Sequence, residues 1–467
     1  MALVAAAPQL AKPSSYNPII NAALFGVIFL LILLRCMYTI DPDFGWHLVS
    51  GQYILASGLP STDIFTYTAP NFPWIHHEWL ADVITALLFN IGGYALVAVF
   101  FTTLWTFAIF FMAGNKHSLK SALAIIISVL AILQFIAIRD MAWTALLLAI
   151  THRLFTKHRA YLPLLFIAWA NLHGGFMVGL VYLAWRLFYE RNWRDSWIVP
   201  LSVAATLINP YGVLLYREIF ATLLDQTLHT KIYEWQRLGI DASMAALIIL
   251  WLSAVSYALF NKQWRGIIKF DTFLLAASFL SLRHFVLFGL MSIPRVAWFA
   301  GNFNLPTKHT NSQLFSKKHI IKIAAMQLSG YALLVFAAIS AAVALQSPLK
   351  LNAEHNQPAD ATASLRVTPC KGNIFNHYDV GGYLIWKTPE QKVYIDGRMP
   401  SWELDGKNYM DNYLRVMENE EFQKQQFNTY HILCAVVPGD SQITKSLQQQ
   451  GWQSETNNTN NWVLLRK

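Results

Sequence analysis

The chain has 467 residues, 55% of them hydrophobic and 13% charged, with 17 Trp, 19 Tyr and 30 Phe. That balance excludes an ordinary soluble protein and fits an α-helical polytopic membrane protein. The formal charge of +9 would point to nucleic acid in a soluble chain; here it is read as topology, with Lys and Arg in short cytoplasmic loops, and no nucleic-acid partner is expected.

Residues 1–17 lack the basic start and cleavage pattern of a secretory signal, and read as a cytoplasmic tail before an apolar run at 18–40 that stays attached as an anchor. Directly after it comes the stretch DPDFGWHLVSGQYILASGLPSTDIFTYTAPNFPWIHHEWLAD, residues 41–82. Acidic and imidazole groups at a membrane boundary mark a functional site, and this loop gathers Asp41, Asp43, His47, Asp63, His76, His77 and Glu78 with three tryptophans. A carboxylate there can take a proton from an acceptor hydroxyl or hold a divalent cation, Mg or Mn, that screens a phosphate. Asp41-Pro42 is also a good helix stop. The His76-His77-Glu78 run can bind metal or phosphate, or simply precede a capped helix at Trp79.

Further apolar runs at 79–114, 120–138, 141–156, 161–173, 175–190, 196–215, 244–260, 267–282, 284–300 and 321–346 bring the spans to about eleven. With the N-terminus in the cytoplasm the loops NKHSLK, THRLFTKHRA, ERNWRD and NKQWR all fall inside, as a positive-inside bias requires. The opposite face then collects the 41–78 loop, Arg139-Asp140, NLHGG with His173, NPYG at 209–212, Glu234, and Arg283-His284. Guanidinium groups bind phosphate with paired donors, so Arg139 and Arg283 are candidate contacts for a lipid-linked phosphate, with His284 beside the second; snorkelling anchors are the plainer reading of such pairs. NLHGG and NPYG read either as cavity-lining breaks or as ordinary reversals between spans.

The transmembrane part is set at 18–346 and a linker at 347–365. Residues 366–467 read as a soluble α/β domain on the extracytoplasmic face, with strands at 372–375, 392–395, 431–437 and 462–466 and helices near 380–386, 409–419, 420–430 and 441–450. Cys370 and Cys434 could pair there if the domain is exported. Asp379 reads as a helix cap and Asp396-Gly397 as a turn.

The 41–80 stretch resembles the first outer loop of a large set of bacterial membrane proteins that carry a DPD, a Trp-His and a His-Glu-Trp-Leu in the same order. WANLHGGF, NPYG, EWQ, RH, FNHYDVGGYLIW and VYIDGR follow in the same succession, over nearly the whole chain. Gly45 stands where that pattern more often has an aromatic. The set is grouped with the GT-C glycosyltransferases, multi-span enzymes that take a sugar from a polyprenyl-phosphate carrier. The resemblance implies a bacterial cytoplasmic-membrane enzyme whose catalytic base is Asp41 or Asp43, with the same two residues as candidate ligands for the divalent metal that some members of the superfamily use. The residues themselves give His47, His76, His77, Glu78, Arg139, His173, Glu234, Arg283 and His284 as candidate substrate contacts. The partners expected are the bilayer, a polyprenyl-phosphate-linked sugar, and a glycan, lipid or protein acceptor. The competing expectation is a non-catalytic scaffold or flippase-like carrier in envelope polysaccharide assembly.

Overall fold

The computed structural model describes residues 18–115, 117–263, 267–303, 357–455 and 461–467. The expected cytoplasmic tail, the run at 321–346 and most of the linker lie outside the described residues.

Helix α1, Pro18–Tyr38, buries Leu24, Ile28, Ile32 and Cys36, a residue every fourth position, so one stripe packs inward while the rest of the surface stays apolar and outward. Helix α2, Phe44–Ser57, runs through the outer loop. Helix α3, Trp79–Ala113, is 35 residues long, about 52 Å at 1.5 Å per residue, and breaks its helical geometry at Gly92 and Gly93, the latter at φ 64°. Only glycine takes that conformation without strain, so the longest apolar run changes direction there. Helices α4 (Leu119–Ile132), α5 (Met141–Lys157), α6 (Leu162–Leu172) and α7 (Phe176–Glu190) follow.

The run expected at 196–215 is divided. Helix α8, Ile198–Thr206, stops at NPYG, where Asn209 Oδ1 accepts from the N–H of Tyr211 and turns the chain into α9, Leu214–Leu224. A short α10 (Gln226–Lys231) leads to α11 (Ala242–Phe260), α12 (Phe270–Ser278) and α13 (His284–Asn302). By length and composition α1, α3, α11 and α13 can each cross a membrane; the other expected spans are shorter helices, so among the described residues the count of eleven is not reached on those criteria.

The C-terminal unit contains the sheet and starts with α14, Ala359–Val367, which occupies the end of the expected linker. Its main sheet has the order β1-β4-β6-β5, with β1 (Asn373–Asn376) parallel to β4 (Ile432–Pro438), and β6 (Trp462–Arg466) antiparallel to both β4 and β5 (Gln453–Ser454). A disulfide joins Cys370, just before β1, to Cys434 on β4. A small hairpin of β2 (Glu403–Leu404) and β3 (Lys407–Asn408) lies between. Helices α15 (Gly381–Lys387), α16 (Tyr409–Glu418), α17 (Glu420–Thr429) and α18 (Gln442–Gln449) complete it, close to the expected positions.

The expected strand at 392–395 does not join this sheet. Its backbone is taken by the outer loop: Val393 N–H donates to Phe65 O at 3.0 Å and Tyr67 N–H to Val393 O at 3.3 Å. Thr68 Oγ1 donates to Tyr394 O, and Tyr67 OH to Ile374 O. Trp46, Phe65, Ala69 and Trp74 of the loop therefore share one core with the C-terminal unit. Helix α15 packs on α2, so tightly that a Cβ at Gly45 would overlap the carbonyl of Gly382. The glycine where the resemblance leads one to expect an aromatic is required by this contact.

Candidate functional site

Between the helices and the C-terminal unit lies a cavity of about 380 Å³. Asp41, Asp43, His47, His76, His77, Glu78, Arg139, His173, Glu234 and Arg283 line it; His284 does not. A second cavity of about 160 Å³, mostly apolar, shares His77, Glu78, His173, Glu218 and Arg283 with the first and continues past Met177, Val178, Leu223 and Leu287, with His284 on its wall.

The two loop carboxylates differ. Asp43 precedes α2 and has both oxygens engaged: Oδ1 accepts from Trp46 Nε1 at 3.0 Å and Oδ2 from Arg139 Nη2 at 2.9 Å. Among the described residues Asp41 accepts only from the backbone N–H of Asp43, at 3.0 Å. Burial lifts its carboxyl to about 6, with Arg139 opposing and Asp43 adding to the rise. A buried carboxyl poised near neutrality with a spare oxygen is suited to taking a proton.

The two arginines differ as well. Arg139 forks onto Glu234 at 2.7 and 3.0 Å besides Asp43. Burial would raise the Glu234 carboxyl, but Arg139 and then Arg283 hold it below its usual range. The Arg283 guanidinium has no ion pair among the described residues and lies over the Trp235 ring, 4.4 Å from its centroid, while its backbone N–H donates to Glu234 O. It is the cation free to receive an anion. His284 Nδ1 instead sits 3.2 Å from Ser281 O.

Behind them is a buried network centred on His47, which stacks on Trp46 at 3.6 Å. His47 Nδ1 is 2.7 Å from Asp82 Oδ1 and 3.5 Å from Asp140 Oδ2, and its Nε2 is 4.0 Å from Glu78. Burial alone would lower this imidazole, but Asp82 and Asp140, then Glu78, lift it to about 10. Glu78 Oε1 lies 3.3 Å from His173 and 3.5 Å from His77. Burial would raise its carboxyl, yet His77, His47 and His173 hold it well below the usual range. The His173 ring meets Thr144 Oγ1 at 2.6 Å. His76 Nε2 lies 2.8 Å from Ser50 and 2.9 Å from Asp82.

Donor atoms of His47, Glu78 and Asp140 fall within 4.8 Å of one another, the spacing of a cation site. Asp140 Oδ2 is buried with no hydrogen bond of its own, as a ligand atom would be. Asp41 and Asp43, where the resemblance puts the metal, are not in this set, because Trp46 and Arg139 already occupy Asp43. A proton on His47 balances the surrounding carboxylates; a divalent cation would do the same.

Sequence reasoning missed Asp82 as a site residue, although a carboxylate in the first turn of a long apolar helix is a signal in itself. It also missed Glu218, and Tyr378, Arg398 and Trp402, by which the C-terminal unit closes the outer wall of the main cavity.

The fold combines a helical, membrane-type part with a sheet-containing C-terminal unit seated on the loop at 41–78. It is similar to the oligosaccharyltransferase AglB from Archaeoglobus fulgidus, solved with an inhibitory peptide and a dolichol-phosphate (TM-score 0.58, 11% identity, over 96% of this chain and 74% of that one). It is similar also to ArnT from Cupriavidus metallidurans bound to undecaprenyl phosphate (TM-score 0.52, 12% identity, over 96% and 97%). No family model matches the chain, and no curated protein does.

Proposed function

We propose that the protein is an inverting membrane glycosyltransferase that moves a sugar from a polyprenyl-phosphate carrier to a hydroxyl acceptor on the extracytoplasmic face. The observation that carries the reading is the pairing, in one cavity, of a carboxylate, Asp41, with an oxygen spare among the described residues, and a guanidinium, Arg283, with no ion pair among them, where a polar chamber meets an apolar one. The solved relatives hold dolichol-phosphate and undecaprenyl phosphate, which supports the same class of carrier here.

The isoprenoid chain enters the apolar cavity and its phosphate lies at Arg283. Asp41 takes the proton of the acceptor hydroxyl as its oxygen bonds to the anomeric carbon. The bond from that carbon to the phosphate oxygen breaks, and the polyprenyl phosphate leaves as an anion whose charge Arg283 stabilises. Arg139 holds Asp43 and Glu234 in place, and the buried Glu78, His77 and His173 group lines the junction of the two chambers. His47, Glu78 and Asp140 would hold a divalent cation, which supplies further positive charge toward the phosphate when bound. The disulfide between Cys370 and Cys434 fits an oxidising compartment outside the cytoplasm.

The test is sugar transfer by purified protein in lipid from a panel of radiolabelled polyprenyl-phosphate sugars, wild type beside Asp41→Asn. Transfer that the folded variant loses supports the reading. Transfer that survives in Asp41→Asn removes Asp41 as base, and undecaprenyl phosphate failing to bind at all favours the scaffold reading.

A further inference from the structure

The Asp396-Gly397-Arg398 segment reads from sequence as a turn, and nothing in the mechanism above uses it. In the structure it fastens the C-terminal unit to the outer loop. Arg398 donates from Nε and Nη2 to the two oxygens of Asp396, at 2.8 and 2.7 Å, and from Nη2 to Asp63 Oδ1 at 2.7 Å. Its guanidinium sits 4.4 Å from the ring centroid of Trp74, 4.8 Å from Phe65 and 5.0 Å from Trp402. Its side chain is 3% exposed and both carboxylates are fully enclosed. Asp63 is fixed in turn by the N–H groups of Phe65 and Thr66.

So many restraints on one side chain leave its neighbour no freedom. That neighbour, Gly397, lies against the carboxylate of Asp43: a Cβ built on it would overlap Asp43 Oδ1 and come within 3.4 Å of Trp46 Nε1, the group that donates to that oxygen. We propose that the Asp396-Gly397-Arg398 turn is a positioning element of the catalytic centre, clamped by Asp63 and the surrounding aromatic rings so that Gly397 seats Asp43 between Trp46 and Arg139. Asp43 then stays fully engaged and Asp41 keeps the spare oxygen. The C-terminal unit is by this account part of the active site, and the inference rests on the reading of the Asp41 and Asp43 pair as its centre.

Gly397 has no positive φ, so alanine fits its backbone and only the collision with Asp43 is tested. The experiment is a double-mutant cycle of Gly397→Ala and Asp43→Ala in the full chain in lipid nanodiscs, read by melting temperature, with Gly26→Ala, which meets nothing within 4 Å, as control. Gly397→Ala is expected to lower the midpoint by several degrees in the wild-type background and by less than a degree in Asp43→Ala, where the colliding atom is gone. Should Gly397→Ala not accumulate, Asp43→Ala must restore it. Additive effects, or no restoration, overturn the proposal.

A second reading separates positioning from mere stability. Under the transfer assay above, Gly397→Ala is expected to lower turnover at least tenfold with undecaprenyl-phosphate affinity unchanged within twofold. Non-additive stability with unchanged turnover overturns the positioning role and leaves the proposed function intact. If the wild type transfers no sugar, the proposed function fails, and the stability cycle alone decides whether Gly397 seats Asp43.

Discussion

Arg139 and Asp43, 96 positions apart in the chain, meet at 2.9 Å, and the proposed roles of four side chains rest on this one bond. It occupies the second oxygen of Asp43, and with the fork onto Glu234 it uses up Arg139. Asp41 and Arg283 are left as the carboxylate and the cation free for a substrate. Arg283→Ala is therefore expected to weaken undecaprenyl-phosphate binding roughly 10- to 100-fold, the worth of lost charge-assisted hydrogen bonds, with little change in melting temperature. Arg139→Ala is expected to do the reverse: about 1–2 kcal/mol of stability lost, modest because the pair is partly exposed, and binding nearly intact. Equal effects of the two substitutions on binding would refute this division.

Asp41 should show a cost in stability that its chemistry requires. Its folded value, about 6, stands above the ordinary 3.8, so the folded state binds the proton more tightly than the unfolded one. The stability this supplies is fully present below about pH 4 and is lost as pH rises through about 6. Above that, the buried carboxylate destabilises the fold by on the order of 1–3 kcal/mol. Asp41→Asn is expected to raise the melting temperature at pH 7.5, to leave it unchanged near pH 4, and to abolish transfer. In the wild type, transfer should decline as pH falls below about 6, where the base becomes protonated. A pH-independent rate between 5 and 7.5 would exclude Asp41 as the base.

The acidic loop was legible because seven titratable side chains follow directly on an apolar run, where charge has no structural excuse. The same reasoning could not rank Asp41 against Asp43, since what separates them is Arg139, nearly a hundred residues on. Arg398 and Asp63 lie 335 positions apart, and nothing local to either shows that they pair. The segment at 392–395 has the β-branched and aromatic make-up of a strand, but its partner is the loop at 65–67 and not the sheet, a choice made by tertiary packing that local propensity does not carry. The α-helices of the C-terminal unit were easier, because capping residues such as Asn408, Asn419 and Ser441 accept from the N–H groups of their first turns.

Cation binding is expected at His47, Glu78 and Asp140, and not at the Asp41 and Asp43 pair. Measured by manganese titration of the purified protein, Glu78→Gln and Asp140→Asn should each weaken binding tenfold or more. Asp82→Asn should weaken it roughly 10-fold without touching the ion, because Asp82 orients the His47 ring at 2.7 Å. Asp41→Asn should change it by less than about twofold. Loss in Asp41→Asn with normal binding in Asp140→Asn would return the metal to the DPD motif.

The disulfide offers a test of sidedness and of stability together. The sequence has three cysteines; Cys370 and Cys434 are joined, and Cys36 is buried in α1 as a free thiol. Protein taken from membranes, denatured and alkylated without reductant, should therefore carry one alkyl group, on Cys36, and three after reduction. Three labels without reductant would mean the C-terminal unit matures in a reducing compartment, which contradicts an extracytoplasmic placement. Because the bond ties residues 64 apart, Cys370→Ser is expected to cost about 2–5 kcal/mol, mainly by freeing the unfolded chain. That loss should fall on the sheet, whose β1 residue Asn376 accepts from the N–H of Tyr394 beside the outer loop, so the same variant is expected to lose donor turnover as the wall formed by Tyr378 and Trp402 loosens.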